Sequence, residues 1–288
     1  MLTSLLKTRG YDLTFTLMEI GARIIERHGE PFYRLLETFP TSRILAFEVD
    51  PEECSRLNVN GSTGVIFFPY AIGKTEEERS LYLTEHPMCT SLYKPNEPYL
   101  GLFHNLEAAK LKETSTVKTI SLDHFAQIND IGPIDFIKID IQGAELDAFQ
   151  GGRKTLMDVL VIISEVEFVP LYENQPLFGD VAAFLEKQRL IFHKFLGLAG
   201  RAMKPIIVNN NENFPVQHLW SDAVFIQDLL KIDDLESSQM LKMASILDLY
   251  NSPDVAWFIL NRFDIRNGST LANDYVNLHA NQGTTNRS

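Results

Sequence analysis

The chain has 288 residues, 45% of them hydrophobic, so it can bury a large core in one big domain or two smaller ones. Its 26 basic and 38 acidic residues give a formal net charge of −12. That charge argues against a protein that binds nucleic acid through the phosphate backbone, because such binding requires a basic face.

The first part of the chain alternates short apolar runs with helical patterns. The apolar runs predict strands over residues 13–20, 43–50 and 65–72. Helices are predicted over 31–39 and from Pro51 onward, each with a proline in the first turn. This alternation indicates right-handed crossovers and a parallel sheet.

An insertion, residues 74–118, interrupts the alternation. It is long, polar in places and contains Pro87, Pro95 and Pro98. Connections of this length in compact domains are usually functional or disordered, so we predict that it forms a lid. A short strand is predicted at 116–120, close to the end of the insertion.

The alternation resumes after the insertion. In chain order we predict a strand at 135–141, a helix at 144–149, a strand at 158–168, a helix at 178–188 and strands at 190–195 and 223–227. No helical pattern lies between the last two strands, so we predict that they pair antiparallel. The predicted fold class is therefore α/β, with a mostly parallel sheet whose last strand is antiparallel.

The C-terminal part shows no further strand pattern. Helical spacing over 229–263 predicts a helical appendage, residues 229–266, after an α/β domain formed by 1–228. Residues 267–288 are rich in Asn, Thr and Gly with few apolar anchors, so we predict a disordered tail. The appendage is a candidate surface for docking or for a homodimer.

Cysteine content and hydropathy predict the compartment. Two cysteines, Cys54 and Cys89, are too few for a cysteine metal framework, and free thiols suit a reducing compartment. Residues 1–12 lack the apolar centre of a signal peptide, and no apolar run approaches the ~20 residues of a membrane helix. We therefore expect a cytoplasmic protein without a membrane span.

Four predicted strands end in residues that suit a nucleoside. In chain order these residues are Glu19 with Gly21, Glu48, Ala71 with Ile72, and Asp140. Ligands of open α/β sheets bind outside the carboxyl ends of the strands, where an acidic residue ~20 to 30 positions after a glycine turn suits the two hydroxyls of a ribose. Each residue alone equally suits an ordinary turn or a solvated strand end. Together they predict a nucleoside-binding crevice.

The turn after the first strand discriminates between nucleosides. A dinucleotide fingerprint has three spaced glycines, so that a pyrophosphate can lie at a helix N-terminus. Here the turn is Gly21-Ala22-Arg23, which contains one glycine. S-adenosylmethionine (SAM) has no phosphate and tolerates this turn, and the antiparallel last strand suits a methyltransferase sheet. The turn therefore favours a nucleoside of this kind over a dinucleotide.

Residues 135–152 (DFIKIDIQGAELDAFQGG) resemble the signature of the FkbM-type methyltransferases, D-F-I-K-I-D-[VI]-[EQ]-G-A-E followed by a helix and a glycine. The resemblance continues into 164–168 and covers roughly residues 13–227. It implies a class I methyltransferase (Rossmann-like) fold with seven strands. It also implies SAM-dependent methyl transfer to a hydroxyl of a sugar or secondary metabolite.

The resemblance also implies roles for single residues. The positions that match the family's cofactor site are, in chain order, Glu19, Gly21, Ala22, Glu48 and Asp140. Glu48 matches the acid that binds the ribose, and Asp140 matches the acid beside the reactive sulfonium. The chain departs from the family at Arg23, where Asn is common, and at Ile25, where a second glycine is common. Arg23 is nevertheless included in the expected cofactor turn, and Ala71 and Ile72 are expected to line the adenine.

Five residues are candidates for the base that removes the proton of the acceptor hydroxyl: Asp140, Glu145, Glu165, Glu167 and His193. Glu165 and Glu167 share one face of a predicted strand. With Asp140 they suit a divalent metal or acceptor hydroxyls, or else salt bridges at the strand end. Glu145 equally suits a helix-start carboxylate that binds backbone amides, and His193 suits a histidine on a sheet face. We predict no dedicated metal site.

The insertion supplies the candidate contacts to the acceptor. These are His86, Ser91, Tyr93 and His104, although each also suits an ordinary surface loop. The acceptor is expected to be a hydroxyl of a small molecule or a glycan. Which acceptor it is cannot be derived from the sequence, because a sequence does not give the geometry of the lid.

Two other classes of function remain open. A NAD-dependent oxidoreductase is disfavoured by the missing glycines of the first turn. A non-catalytic nucleoside-binding module of the same fold is suggested by Arg23 and Ile25, which alter the cofactor turn. Binding of SAM, of its demethylated product and of NAD distinguishes these alternatives.

Overall fold

The computed structural model describes residues 1–21, 30–59 and 61–285. Strands β1 to β11 lie, in chain order, at Thr16–Ile20, Arg43–Phe47, Val65–Phe68, Ala71–Gly73, Glu78–Thr84, Leu111–Ser121, Phe136–Ile139, Val161–Glu167, Leu190–Phe195, Ala199–Arg201 and Gln217–Gln227. Helices α1 to α10 lie at Leu2–Thr8, Arg34–Thr38, Pro51–Val59, Glu97–Leu100, Leu122–Ile128, Glu145–Gln150, Phe178–Glu186, Ser237–Leu249, Pro253–Asn267 and Leu271–Thr285.

The main sheet has the strand order β3-β2-β1-β7-β8-β11, and both β9 and β10 pair with β11. The first five of these strands are parallel to one another. Strand β11 runs antiparallel to β8 and to β9. This order, with its antiparallel last strand, confirms the predicted α/β fold class. The short β10 adds an eighth strand to the seven that were expected.

The two faces of the main sheet are covered by two separate cores, because side chains alternate along each strand. Leu17 and Phe136 belong to the first core, which α1, α2, α3 and the C-terminal helices also form. Met18 and Ile137 belong to the second core, which is covered by α5, α6 and α7. The sheet is therefore buried on both faces, and ligands can reach it from its carboxyl edge.

The C-terminal helices are part of the first core. Residues from both sides of the expected boundary at 228/229, such as Val224 and Met240, are buried in the same cluster. The structure also differs from the disorder expected for residues 267–288, because helix α10 occupies Leu271–Thr285. Leu271 and Tyr275 of this helix are buried in that core. Tertiary packing of this kind stabilises a helix whose composition alone does not favour it.

The insertion is an ordered unit. Strands β5 and β6 pair antiparallel, and β4 joins β6 in a second, three-stranded sheet. The predicted strand at 116–120 lies within β6, whereas the predicted strand at 65–72 is split between β3 and β4. A third, smaller core anchors the insertion, and its members are Leu100, Phe103, Leu106, Leu171, Tyr172 and Leu219.

None of the helices in the described parts of the chain combines the length and the apolar content that a bilayer crossing requires.

Candidate functional site

A cavity of about 420 Å³ opens at the carboxyl edge of the main sheet. The predicted cofactor residues that line it are Glu19, Gly21, Glu48, Ala71, Ile72 and Asp140. The predicted residues Ala22 and Arg23, together with Ile25, lie outside the described part of the chain. The strand ends that the sequence placed at one edge therefore surround a single cavity.

Gly21 is required by a close approach between two strand ends. Its φ is +89°, and a Cβ atom at this position would lie 1.9 Å from the carbonyl oxygen of Asp140. The backbone N–H of Asp140 also donates to the carbonyl oxygen of Ile20, at 2.9 Å. The glycine thus lets β1 and β7 converge at the floor of the cavity, which is a structural reason in addition to the expected approach of a ligand.

Glu48 is buried at the end of β2 and is held in place by its own turn. Its Oε1 accepts a hydrogen bond from the backbone N–H of Asp50, at 2.9 Å. Asp50 in turn accepts from the N–H groups of Glu52 and Glu53, at the start of α3. The carboxylate of Glu48 therefore has a fixed position in the cavity wall, as recognition of a diol requires.

Apolar residues form the wall next to Glu48. Phe47, Tyr70, Ala71 and Ile72 line this side of the cavity. The chain leaves the main sheet after Phe68, and the segment from Tyr70 onward turns toward β6. A flat aromatic base would find an apolar surface here.

The end of the cavity near β1 contains a group of charged residues that was only partly predicted. Glu19 accepts a hydrogen bond from the hydroxyl of Tyr33, at 2.6 Å. Burial raises the pKa of Glu19 to about 7, although the bond from Tyr33 opposes this. Glu30 and Asp222 also line this end. No sequence pattern identifies Glu30 and Asp222, because long-range packing brings them to this end of the cavity.

Lys138 is the basic residue of this group. It is 8% exposed, and its Nζ lies 2.6 Å from Oδ1 of Asp222. Burial alone would lower the pKa of Lys138, but the carboxylates of Asp140 and Asp222 outweigh burial and raise it above its ordinary value. Lys138 was not among the predicted site residues. A charged side chain inside the otherwise apolar strand β7 is the sequence feature that distinguishes it.

A glutamine joins two of the predicted carboxylates. The side-chain Nε2 of Gln142 donates to Oδ1 of Asp140 at 2.7 Å and to Oε2 of Glu165 at 2.5 Å. The hydroxyl of Tyr172 donates to Oε1 of Gln142 at 2.9 Å, which fixes the orientation of the amide. Burial, reinforced by the charge of Asp140, raises the pKa of Glu165 well above its ordinary value. Of these two acids, Asp140 is the one that lines the cavity.

Glu145 holds the turn between β7 and α6. Its two carboxylate oxygens accept from the N–H of Ile141 at 2.8 Å and from the N–H of Gly143 at 3.0 Å. Burial raises the pKa of Glu145 to about 7, and the hydrogen bond from Ile141 opposes this shift. Glu145 is not among the described residues that line the cavity. This placement suits the backbone-binding role better than the role of a base.

Glu167 and His193 do not have the placement expected of a base. Glu167 is buried at the end of β8, outside the described lining of the cavity, and burial raises its pKa well above the ordinary value. His193 lies on β9, and its Nε2 is 2.9 Å from Oγ of Ser252, at the start of α9. Burial lowers the pKa of His193. This position matches the alternative prediction, a histidine on a face of the sheet.

The four candidate contacts to the acceptor are distributed differently from the prediction. Ser91 lines the cavity, and its Oγ donates to the backbone oxygen of Gln142, at 2.6 Å. Tyr93 instead donates to Asp147, at 3.1 Å. His86 caps a short turn through Nδ1, at 3.3 Å from the N–H of Met88.

His104, the fourth candidate, lies with its Nε2 3.1 Å from the carbonyl oxygen of Ile206, outside the described lining of the cavity. The insertion contributes other residues that the sequence did not single out. Pro87, Met88, Thr90 and Leu92 line the cavity next to Ser91. These residue types carry no motif, so only the packing of the insertion identifies them.

The oxygens of Asp140, Glu145 and Glu165 lie within 4.8 Å of one another, a spacing that a divalent cation would need. However, both oxygens of Glu145 accept from backbone N–H groups. The amide of Gln142 donates to the other two carboxylates. Each of these acids thus accepts at least one N–H hydrogen bond, and these donors would compete with a cation.

Comparison with known proteins adds three findings. A family model described as the methyltransferase FkbM domain matches residues 19–192. The chain is 26% identical over 172 residues to the 2-O-methyltransferase NoeI of Sinorhizobium fredii, a match that covers 55% of this chain and 66% of that protein, slightly less than two thirds. A crystal structure of magnesium protoporphyrin IX methyltransferase from Synechocystis PCC 6803 with bound SAM aligns over 79% of this chain and 76% of its own, with 8% identity and a TM-score of 0.36.

Proposed function

The chain belongs to the methyltransferase FkbM domain family, and from this premise we propose that it transfers the methyl group of SAM to a hydroxyl of a sugar or secondary-metabolite acceptor. The observation that supports this proposal is the single cavity on which Glu19, Glu48 and Asp140 converge. The name of the relative, a 2-O-methyltransferase, supports oxygen as the acceptor atom.

The chemistry of the cavity wall fits SAM. The volume of about 420 Å³ lies within the range of about 300–1,000 Å³ that is usual for small-molecule sites. The apolar wall beside Ala71 and Ile72 would hold the adenine, and Glu48 would accept from the two ribose hydroxyls. Glu19 would bind the ammonium group of the methionine part. Gly21 provides the close backbone approach on which these positions depend.

Asp140 is the base that this geometry favours. It lines the cavity and keeps its orientation through the amide of Gln142. The other acids of this cluster, Glu145, Glu165 and Glu167, all have raised pKa values. Bound SAM supplies an activated methyl group, so the main contribution of the protein is to orient the acceptor. Asp140 would take the proton of the acceptor hydroxyl, an effect worth about 10²- to 10⁴-fold in rate.

Calorimetry with SAM, with S-adenosylhomocysteine and with NAD tests the proposal. We expect the first two to bind and NAD not to bind. Transfer of a labelled methyl group to a panel of hydroxylated glycans and small molecules then tests turnover. Absence of binding by both SAM and S-adenosylhomocysteine would refute the proposal, and binding without turnover on any acceptor would favour the non-catalytic module.

A further inference from the structure

The cavity is strongly acidic at the end near β1. Among the described residues that line it, Lys138 is the sole basic side chain. The acidic lining residues are Glu19, Glu30, Glu48, Asp140 and Asp222. Lys138 is therefore the group of the described lining with which an anionic part of a ligand can form a charged hydrogen bond.

Lys138 lies directly beside the residue that would bind the ligand's ammonium group. In the parallel pairing of β1 and β7, Lys138 is the register partner of Glu19. Adjacent strands lie about 4.8 Å apart, so register partners on neighbouring strands lie side by side on the same face of the sheet. The two neighbouring positions therefore present one acidic and one basic side chain to the same cavity, as the two charged groups of an amino acid would require.

The ammonium group of Lys138 retains donors for a ligand. A lysine has three N–H donors. Within the described part of the chain, Nζ of Lys138 donates one side-chain hydrogen bond, to Oδ1 of Asp222. The surrounding carboxylates keep the lysine protonated, so it serves as a hydrogen-bond donor and not as a base.

We propose that Lys138 binds the carboxylate of the methionine part of SAM, the single anionic group of that ligand. This inference rests on the proposed function, because it assigns a partner within the same site. Lys138 and Glu19 then recognise the two ends of one amino-acid group. Asp222 holds the lysine in position until the ligand's carboxylate binds.

A comparison of two ligands tests this assignment. S-adenosylhomocysteine carries the amino-acid group, whereas 5′-methylthioadenosine has the same nucleoside and a thioether but no amino-acid group. We expect Lys138→Met to weaken binding of S-adenosylhomocysteine by about tenfold to a hundredfold, the usual effect of a lost charged hydrogen bond. Binding of 5′-methylthioadenosine should be unchanged. Calorimetry on the full chain measures both dissociation constants.

Two further variants control the comparison. Lys94→Met removes an exposed lysine that pairs with Glu173, and it should leave both affinities unchanged. Asp222→Asn removes the carboxylate that competes for Lys138, so we expect the preference for S-adenosylhomocysteine over 5′-methylthioadenosine to increase. If the role of Lys138 were purely structural, Lys138→Met and Asp222→Asn would not shift this preference in opposite directions.

The outcomes separate this inference from the proposed function. If the wild-type chain binds both ligands and Lys138→Met weakens both equally or neither, the assignment of Lys138 is wrong and the proposed function stands. If Lys138→Met does not fold, a lower preference in Asp222→Asn overturns the assignment. If the wild-type chain binds neither of these ligands nor SAM, the proposed function itself fails.

Discussion

At the scale of single residues, burial decides which acid can act. Glu165 and Glu167 were predicted to share one face of their strand and Asp140 to follow a neighbouring strand, yet of the three only Asp140 is among the described residues that line the cavity. Burial raises the pKa of Glu165 and of Glu167 well above the ordinary value, so both favour the neutral form. The strand period predicts the face of a side chain, but the depth of a residue depends on elements that arrive from elsewhere in the chain.

Replacement of Asp140 tests its role as the base. We expect Asp140→Asn to lower kcat by about 10²- to 10⁴-fold while SAM binding is retained, because the amide keeps the shape of the side chain and removes its basicity. Single-turnover methyl transfer to an accepted hydroxyl compound measures the rate. Glu167→Gln is the control, since Glu167 lies outside the described lining of the cavity and the amide keeps its shape, and its rate should match the wild type. An unchanged rate in Asp140→Asn would exclude it as the base.

Cofactor affinity should depend on the ionisation of Glu19. Its pKa is raised to about 7, so the side chain is neutral below this pH and ionised above it. The ammonium group of SAM is attracted to the ionised form, and the affinity should therefore rise as the pH increases through about 7. Calorimetry at a series of pH values measures this change. Glu19→Gln should bind SAM more weakly and without this pH dependence, whereas a variant that retained the wild-type profile would contradict the assignment.

At the scale of elements, the close approach of the ends of β1 and β7 organises the site. Gly21 lies against the backbone of Asp140, and the turn that follows Asp140 is held by Glu145 and by Ser91 of the insertion. One side of the cavity is therefore built from the ends of β1 and β7, and the insertion is attached to the same turn. A substitution that separates these two strand ends should alter the whole cavity.

Gly21→Ala tests the close approach of these two strand ends. The new methyl group would meet the carbonyl oxygen of Asp140, and the positive φ would add about 1–3 kcal/mol of backbone strain. We expect a lower melting temperature together with a loss of SAM binding. Gly132→Ala is a suitable control, because a Cβ there meets nothing within 4 Å. If Gly21→Ala binds SAM as tightly as the wild type, the two strand ends do not need this close approach.

Much of the element order was predictable from short apolar runs, and the reasons for the exceptions are specific. The strand predicted at 190–195 has the predicted bounds, because a turn precedes it and it begins with three consecutive apolar residues. The strand predicted at 65–72 is split near Pro69, since proline lacks the N–H that a ladder requires. Strand β5 and the first half of β6 were missed because these segments are half exposed and polar.

At the scale of the whole molecule, the C-terminal helices replace solvent over one face of the sheet. Met240 and Leu260 lie in the same core as Leu17 and Phe136. The sequence predicted an appendage and a tail because these segments follow the last strand. Sequence order does not show which surface the helices cover. Their burial makes them part of the structure that supports the site.

Removal of α10 tests this dependence. A chain that ends at Gly268 loses the buried side chains of Leu271 and Tyr275, and we expect the free energy of unfolding to fall by about 3 kcal/mol or more. Urea denaturation measures the change. Tyr275→Phe removes only the hydrogen bond to Asp248 and should cost about 1 kcal/mol. Wild-type stability in the shortened chain would show that α10 contributes nothing to the core.

The first core also joins the two extremes of the chain, because Leu2 and Leu6 of α1 share it with Tyr275 of α10. A ribosome adds about 5–20 residues per second, so the earliest helix waits on the order of ten seconds to a minute for its last neighbour. During that interval one face of the growing sheet exposes apolar side chains to solvent or to a chaperone. The first core is therefore completed only after α10 has been synthesised, and slow translation of the segment between α1 and α10 would prolong the exposure.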